Sequence, residues 1–559
     1  MATSHSTTAA KATTKHASAK RSAKKHAARK ATKKNAKKKL PVCTSKDLKT
    51  KKAKRRKCRV VKAKPKVVSP PHRATPTGPV AAPPATAPGR DAFPTAQTPA
   101  GATDGARAYT GSFGVAQAAR LLHRAGFGPV PGQAEAFAEL GLLGAVQALI
   151  DPGPAALVGP APTGAYLVGG QFAPADKYGH LHLAMLDRQV RSTDSLTERM
   201  TLVLHDWFGV GTDNAGGLRL MAGHIDLLRA NWRGSFRDLL MKVTQDPAML
   251  TFLNGTDNTK AAPNENYGRE LMELFTLGAD RGAYTETDVR EMARTFTGFR
   301  VDYSASLGLT NFRFDPTRFD PGTKTLFAGT PYERSGRLSW QDGVNAVVDH
   351  PMHPSFVVLK LWSYFIPTAP SPLTQADLEA IYRAHGEQLE PLVQAILQHP
   401  DLYTGPEMVK PPVVHAAALL RARESGITTD AWISRCSAAG QLMGYPPNVS
   451  GWNDRAWLNT STHSARWGFV QELITPAVVR AADYTGKAES SDQALAAALT
   501  FWGTPQISAD HRAAMQVVAA QTWVPKTPGD QYGSLATFLA HRQNALRQLA
   551  AAAPDFQVS

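Results

Sequence analysis

From residue 113 to the end of the chain, apolar positions recur every three to four residues in runs of helix length. At about 100° per residue, this spacing gathers them on one face, as in helices packed around a shared core. The pattern predicts helices over Ala116–Ala125, Gln133–Ile150, Leu181–Val190, Leu196–Phe208, Leu218–Ala230 and Phe236–Thr244. It continues with Asn264–Leu277, Thr285–Phe296, Gln341–Val348, Ser355–Phe365, Gln375–Arg383 and Leu389–Gln398. Val413–Arg423, Ala431–Leu442 and Ala465–Ala482 complete a body over 113–480, and Ser491–Phe501, Ala509–Ala520 and Leu535–Ala551 form a helical carboxy-terminal extension over 481–559. Gly126 followed by Pro129 and Pro131 stops the first helix, and Asp151-Pro152-Gly153 stops the second. Only Asn311–Phe327 reads as β: Phe312-Arg313-Phe314 and Thr323–Phe327 flank a turn rich in Asp, Pro and Gly. The expected fold class is therefore mainly α, a multi-helix body with one small inserted β-hairpin, in which 303–337 is the longest irregular excursion.

Charge divides the chain more sharply than periodicity does. The net charge is +19 over 559 residues, yet residues 1–70 hold 25 Lys and Arg against one acid, Asp47, leaving 39 basic and 44 acidic residues elsewhere. The segment Lys11–Lys66 is almost empty of larger aliphatic side chains, so it cannot bury enough apolar surface to offset its ordering entropy, and a disordered basic arm is expected. Such an arm attracts polyanions (nucleic acid, anionic lipid or wall polymer) without sequence preference and in a salt-sensitive way. No aromatic residue interrupts it, so base stacking is not supported. Residues 71–112, rich in Pro and Ala, read as an extended linker. Near the start there is no apolar run of the roughly 7–15 residues a secretory signal needs, and no run approaches the roughly 18 of a spanning helix. Of three cysteines, Cys43 and Cys58 read as free thiols in the arm and Cys436 as a buried structural residue.

The densest chemistry lies in Asn264–Gly278. On its predicted helix Tyr267, Leu271, Leu274 and Phe275 form the core stripe, Glu265, Arg269 and Glu273 follow at i, i+4, i+8, and Asn266 and Glu270 lie just beyond. Two readings stay open: a solvated salt-bridge ladder at about 0.2–0.5 kcal/mol per pair, or a carboxylate and amide cluster aimed into a site. Glu198 and His205 share a face of another, nearly all-apolar helix, but seven residues mean about 10.5 Å of rise, so they do not touch directly. Arg124, in the last turn of its helix, can meet free carbonyls or pair with Glu270 or Glu273. Asn448, Trp452, Asp454, Trp457 and Asn459 combine indoles with amides and a carboxylate, which suits either a glycan cleft or buried anchors of a tight turn. The body has no phosphate-binding glycine loop, no Gly-x-Ser-x-Gly elbow and no His-Glu-x-x-His motif, which removes most support for nucleotide, serine-hydrolase and zinc-protease chemistry.

Several blocks occur in a meaningful order: Arg120–Gly128, Glu198–Thr201 through His205-Asp206-Trp207-Phe208, Asn264–Gly278, Tyr284–Arg290 with Phe296-Thr297-Gly298, and Gly444–Val449 with Gly451-Trp452 and Trp457–Thr460. Together they resemble the bacterial family catalogued as Domain of Unknown Function 1800, over roughly residues 115–480. That family has no settled activity; its members often look exported, and a frequent gene neighbour, Domain of Unknown Function 1501, is similar to alkaline-phosphatase and sulfatase-type hydrolases. The resemblance thus implies a binding or scaffolding partner of an envelope-associated, hydrolase-like protein. The alternative is an enzyme with a carboxylate-centred site, with or without a metal ion, acting on a glycan or phosphoester. Candidate catalytic residues are Glu270, Glu273, Glu198 and His205, and candidate binding residues are Arg124, Asn266, Arg269, Asn448, Trp452 and Asp454. The expected centre is where the acidic helix meets the helix of Glu198 and His205. No cofactor is evident, no metal ligand is assigned, and a divalent ion among the carboxylates is the minor alternative.

Overall fold

The computed structural model describes residues 105–524 and 532–559. The basic arm, Cys43, Cys58 and nearly all of the linker lie outside the described residues. Those described are mainly helical, with 22 α-helices and two short antiparallel two-stranded ladders. None of these helices is long and apolar enough to cross a membrane.

The helix Ser195–Trp207 runs through the core. Every residue on it except Thr197 is buried, and Asp194 caps it by accepting from the Thr197 N–H at 3.0 Å. Trp207 and Phe208 at its end pack against Phe236, with Trp207 also against Phe356 and Phe208 against Phe275. Each such side chain contributes about 1.5–3 kcal/mol by leaving water. The amphipathic helices around it therefore owe their positions to burial more than to intrinsic propensity. Cys436 is also fully buried, as expected, and burial pushes its thiol up.

Periodicity located the helices well and their interruptions less well. The run 133–150 divides into Gln133–Glu139 and Gly141–Ile150, because Gly141 adopts φ +66°, a left-handed conformation that breaks the ladder at little cost for glycine alone. The helix expected over 465–482 is Thr460–Ile474, followed by a 3-10 turn at Thr475–Ala477 that contains Pro476. The predicted acidic helix is α-helical only over Asn266–Glu270 and then widens into a π-helical turn, Leu271–Thr276. There the Leu277 N–H reaches the Met272 carbonyl at 2.9 Å and the Thr276 hydroxyl donates to the Leu271 carbonyl at 2.5 Å, both five residues back.

A β insertion occurs where expected, with different partners. Phe312 and Phe314 pair with Val301 and Phe299 of the preceding strand, Phe299–Ser304, while Lys324–Leu326 pairs with Arg334–Gly336. Phe299 is fully buried and meets Phe312 edge-on at 5.0 Å, so the core draws the second strand back toward the helix it follows rather than forward. The last helices pack onto the body: Trp502 Nε1 donates to the Arg547 carbonyl at 2.8 Å, and Val558 bridges Val409 through main-chain bonds at 2.9 Å between Met408 and Ser559.

Candidate functional site

Glu198 is 2% exposed and accepts from Arg188 Nε at 2.6 Å and from Arg229 Nε at 3.1 and 3.2 Å. Two guanidiniums from neighbouring helices thus meet one carboxylate, an arrangement that clamps helices and leaves little of the carboxylate free for a ligand. His205 is fully buried. Its Nε2 accepts the Gly444 N–H at 2.9 Å, and burial together with His224 pushes its pKa down to about 3, so the imidazole is neutral. Trp452 stands edge-on to that ring at 5.0 Å, and its main-chain N–H donates to Asp206 Oδ1 at 2.7 Å. Gly451, at φ +87°, brings the loop so close that a Cβ would lie 2.3 Å from Asp206 Oδ1. The structure therefore joins two of the sequence blocks: the 444–452 loop docks on the end of the Ser195–Trp207 helix through His205 and Asp206. This is a structural joint rather than an open site.

Trp452 and Trp457 are buried, so neither indole offers a face to a sugar. Asn459 caps the Thr460–Ile474 helix, accepting from the Ser461 and Thr462 N–H groups at 3.0 Å. Asp454 opens a 3-10 turn. Asn448 is exposed and lines a cleft of about 510 Å³ together with Asp213, Asn214 and Tyr445. Arg124 is buried and meets main-chain oxygens, donating to Phe365 at 2.5 Å and to Ser559 at 2.9 Å. Its pairing with Glu270 or Glu273 is excluded by those partners.

The acidic segment behaves differently along its length. Arg269 pairs with Glu265 at 3.0 Å and with Glu286 of the next helix at 2.8 Å, which gives one ladder rung and one crosslink between helices. Asn266 is exposed at the start of the segment. Glu270 and Glu273 are half-buried, and among the described residues neither carboxylate has a hydrogen-bond donor or a basic partner within ion-pair distance. Burial, followed by the charge of Glu273, pushes Glu270 up to about 7, with Arg269 opposing. The Tyr284 hydroxyl is raised to about 12 by burial and then by Glu273. These two carboxylates sit at the junction of α- and π-helix, a distortion found disproportionately at functional sites.

The centre expected from sequence is not assembled. The two helices meet through Phe208 and Phe275, whose rings are 5.1 Å apart. Glu198 lies ten residues before Phe208, about 15 Å along the axis, with its own arginines. Among the described residues no group of three His, Cys, Asp or Glu side chains is placed to hold a metal ion. The π turn escaped sequence reading because its apolar spacing still fits an ordinary helix.

A family model described as a protein of unknown function, DUF1800, matches residues 120–558 and so runs through the carboxy-terminal helices as well. No curated protein and no solved structure matches this chain.

Proposed function

We propose that this protein, which belongs to the DUF1800 family, is a binding or scaffolding protein that docks a partner's basic side chain on Glu270 and Glu273. One observation carries the reading: a carboxylate pair, half-buried on a distorted helix turn, with no cation within ion-pair distance among the described residues. An arriving Lys or Arg supplies that charge, and Glu270 loses its proton as the pair forms. The family's hydrolase-like neighbour of the DUF1501 type is the partner we favour. The amino-terminal arm, with 25 basic residues in the first 70, adds non-specific polyanion attraction that holds the assembly at an anionic surface.

The test is titration of the purified neighbouring protein against the wild type and the Glu270→Gln, Glu273→Gln double variant. We expect at least about a tenfold loss of affinity in the variant. Wild-type binding should tighten about tenfold from pH 6 to pH 8, because Glu270 must ionise. Equal affinity for wild type and variant ends the reading. For the arm, removal of residues 1–70 should abolish salt-sensitive DNA binding. A second reading, an enzyme acting on a glycan or phosphoester, draws support from the same Glu270, since an acid near 7 suits proton transfer. Turnover by the isolated protein that Glu270→Gln abolishes would favour it.

A further inference from the structure

A cavity of about 310 Å³ lies between the Val115–Arg124 helix, the Pro412–Ala422 helix and the residues around Trp502 and Phe556. Its polar lining is uneven. Glu135 and Glu407 are exposed, and the half-buried Asp555 is already engaged by the Ser508 N–H and His511, whereas Lys410 and His415 are 4% and 0% exposed. The Lys410 ammonium donates to the Phe556 carbonyl at 3.1 Å, which uses one of its three hydrogens. Neither ring nitrogen of His415 makes a hydrogen bond, although the Phe556 carbonyl lies near, and the buried Nδ1 of His123 and Nε of Arg120 are likewise unpartnered.

The surroundings deepen this positive character. Arg466 donates to the main-chain oxygens of Trp457 and Lys410 at 3.1 and 2.8 Å, and Arg421 to those of Gly128 and Val190 at 2.6 and 2.8 Å. Carbonyls satisfy these guanidiniums as donors without neutralising them. Burial, followed by the nearby charge of Arg466, depresses Lys410 to about 7, with Glu407 opposing and Arg124 adding to the effect. A buried cation held by a carbonyl rather than a directly paired carboxylate is costly, and an anion brought beside it relieves that cost. The unused imidazole nitrogens supply hydrogen bonds, and Ala418, Trp502 and Phe556 supply apolar wall.

We infer that this cavity binds a small organic anion, its carboxylate or phosphate group held by Lys410, His415 and His123 and its apolar part lying against Trp502 and Phe556. The occupant has an anionic head and roughly the bulk of a substituted benzene ring.

Calorimetric titration of the full chain with benzoate and with phenylphosphate tests this and separates the two head groups. The arm contributes equally to wild type and Lys410→Met, so the difference between them reports the cavity. We expect at least about tenfold weaker binding of the preferred probe to Lys410→Met, and a smaller loss for His415→Gln. A wild-type measurement guards against a variant that does not fold. Near pH 7.5, benzoate binding should take up a proton at Lys410, so the heat should change with the ionisation enthalpy of the buffer. Arg466, Glu407 and Arg124 face Lys410; the two guanidiniums, at about 10 and about 9, keep their protons at that pH, and His123 and His415 are held well below it by burial. Equal affinity of Lys410→Met and wild type, a heat independent of buffer, or no binding of either probe at millimolar concentration would overturn the inference.

Discussion

Glu198 and Glu270 are both acids on helices of the same core, and they occupy opposite electrostatic situations. Glu198 is the more deeply buried, yet Arg188 and Arg229 meet it within 2.6–3.2 Å. Glu270 is only half-buried and has no such partner among the described residues, and its pKa is carried to about 7. Depth alone therefore does not decide whether a carboxylate is poised for chemistry or binding. The supply of counter-charge decides: the described residues provide it at Glu198 and withhold it at the π turn.

The largest break in that comparison should come from Glu198→Ala, which leaves two arginines facing each other around a buried gap. We expect a loss of about 3 kcal/mol in urea unfolding, at the low end for a buried pair because Arg188 is 37% exposed. A loss below about 1 kcal/mol would mean that the clamp is dispensable. Next, Gly451→Ala should cost about 2 kcal/mol through its positive φ and the Asp206 oxygen that its Cβ would strike, with thermal unfolding as the readout.

Glu270→Gln sharpens the contrast because its sign is reversed. The folded-state pKa, near 7, exceeds the unfolded value near 4.3. The native state thus binds the extra proton between those values, and wild-type stability falls as pH rises through that window. The amide removes the penalty. We expect Glu270→Gln to be more stable than wild type by about 1 kcal/mol at pH 8, after discounting for partial solvent screening, and indistinguishable at pH 4. The smallest effect belongs to Arg269→Ala, whose pairs are solvent-screened; its melting temperature should stay within the scatter of wild-type curves.

Periodicity anticipated a mainly helical body because a 3.6-residue repeat reports directly on which face is buried. It could not anticipate the break at Gly141, which depends on a left-handed conformation that glycine permits without requiring. Nor could it pair the strands, since the burial of Phe299 selected Phe312 from further along the chain. Among the candidate site residues, the wheel allowed Glu270 either a solvated ladder or a cluster aimed into a site, and neither specified a half-buried carboxylate without a direct partner. Lys410 was not singled out at all: a single lysine before two prolines has no sequence signal for burial.

By itself, then, the sequence determined the helical class, the separation of a basic arm from a mildly acidic body, the family, and the placement of carboxylates along one segment. These are properties of local spacing and composition, which need no knowledge of what lies across the core. Only the tertiary structure decided that Arg124 would meet main-chain oxygens, that Arg188 and Arg229 would close on Glu198, and that His205 would hold the 444–452 loop. It also decided that, among the described residues, no cation would pair directly with Glu270 and no carboxylate with Lys410. The reason is that charge compensation is made between residues distant in the chain, and spacing along one helix carries no information about the helix that faces it.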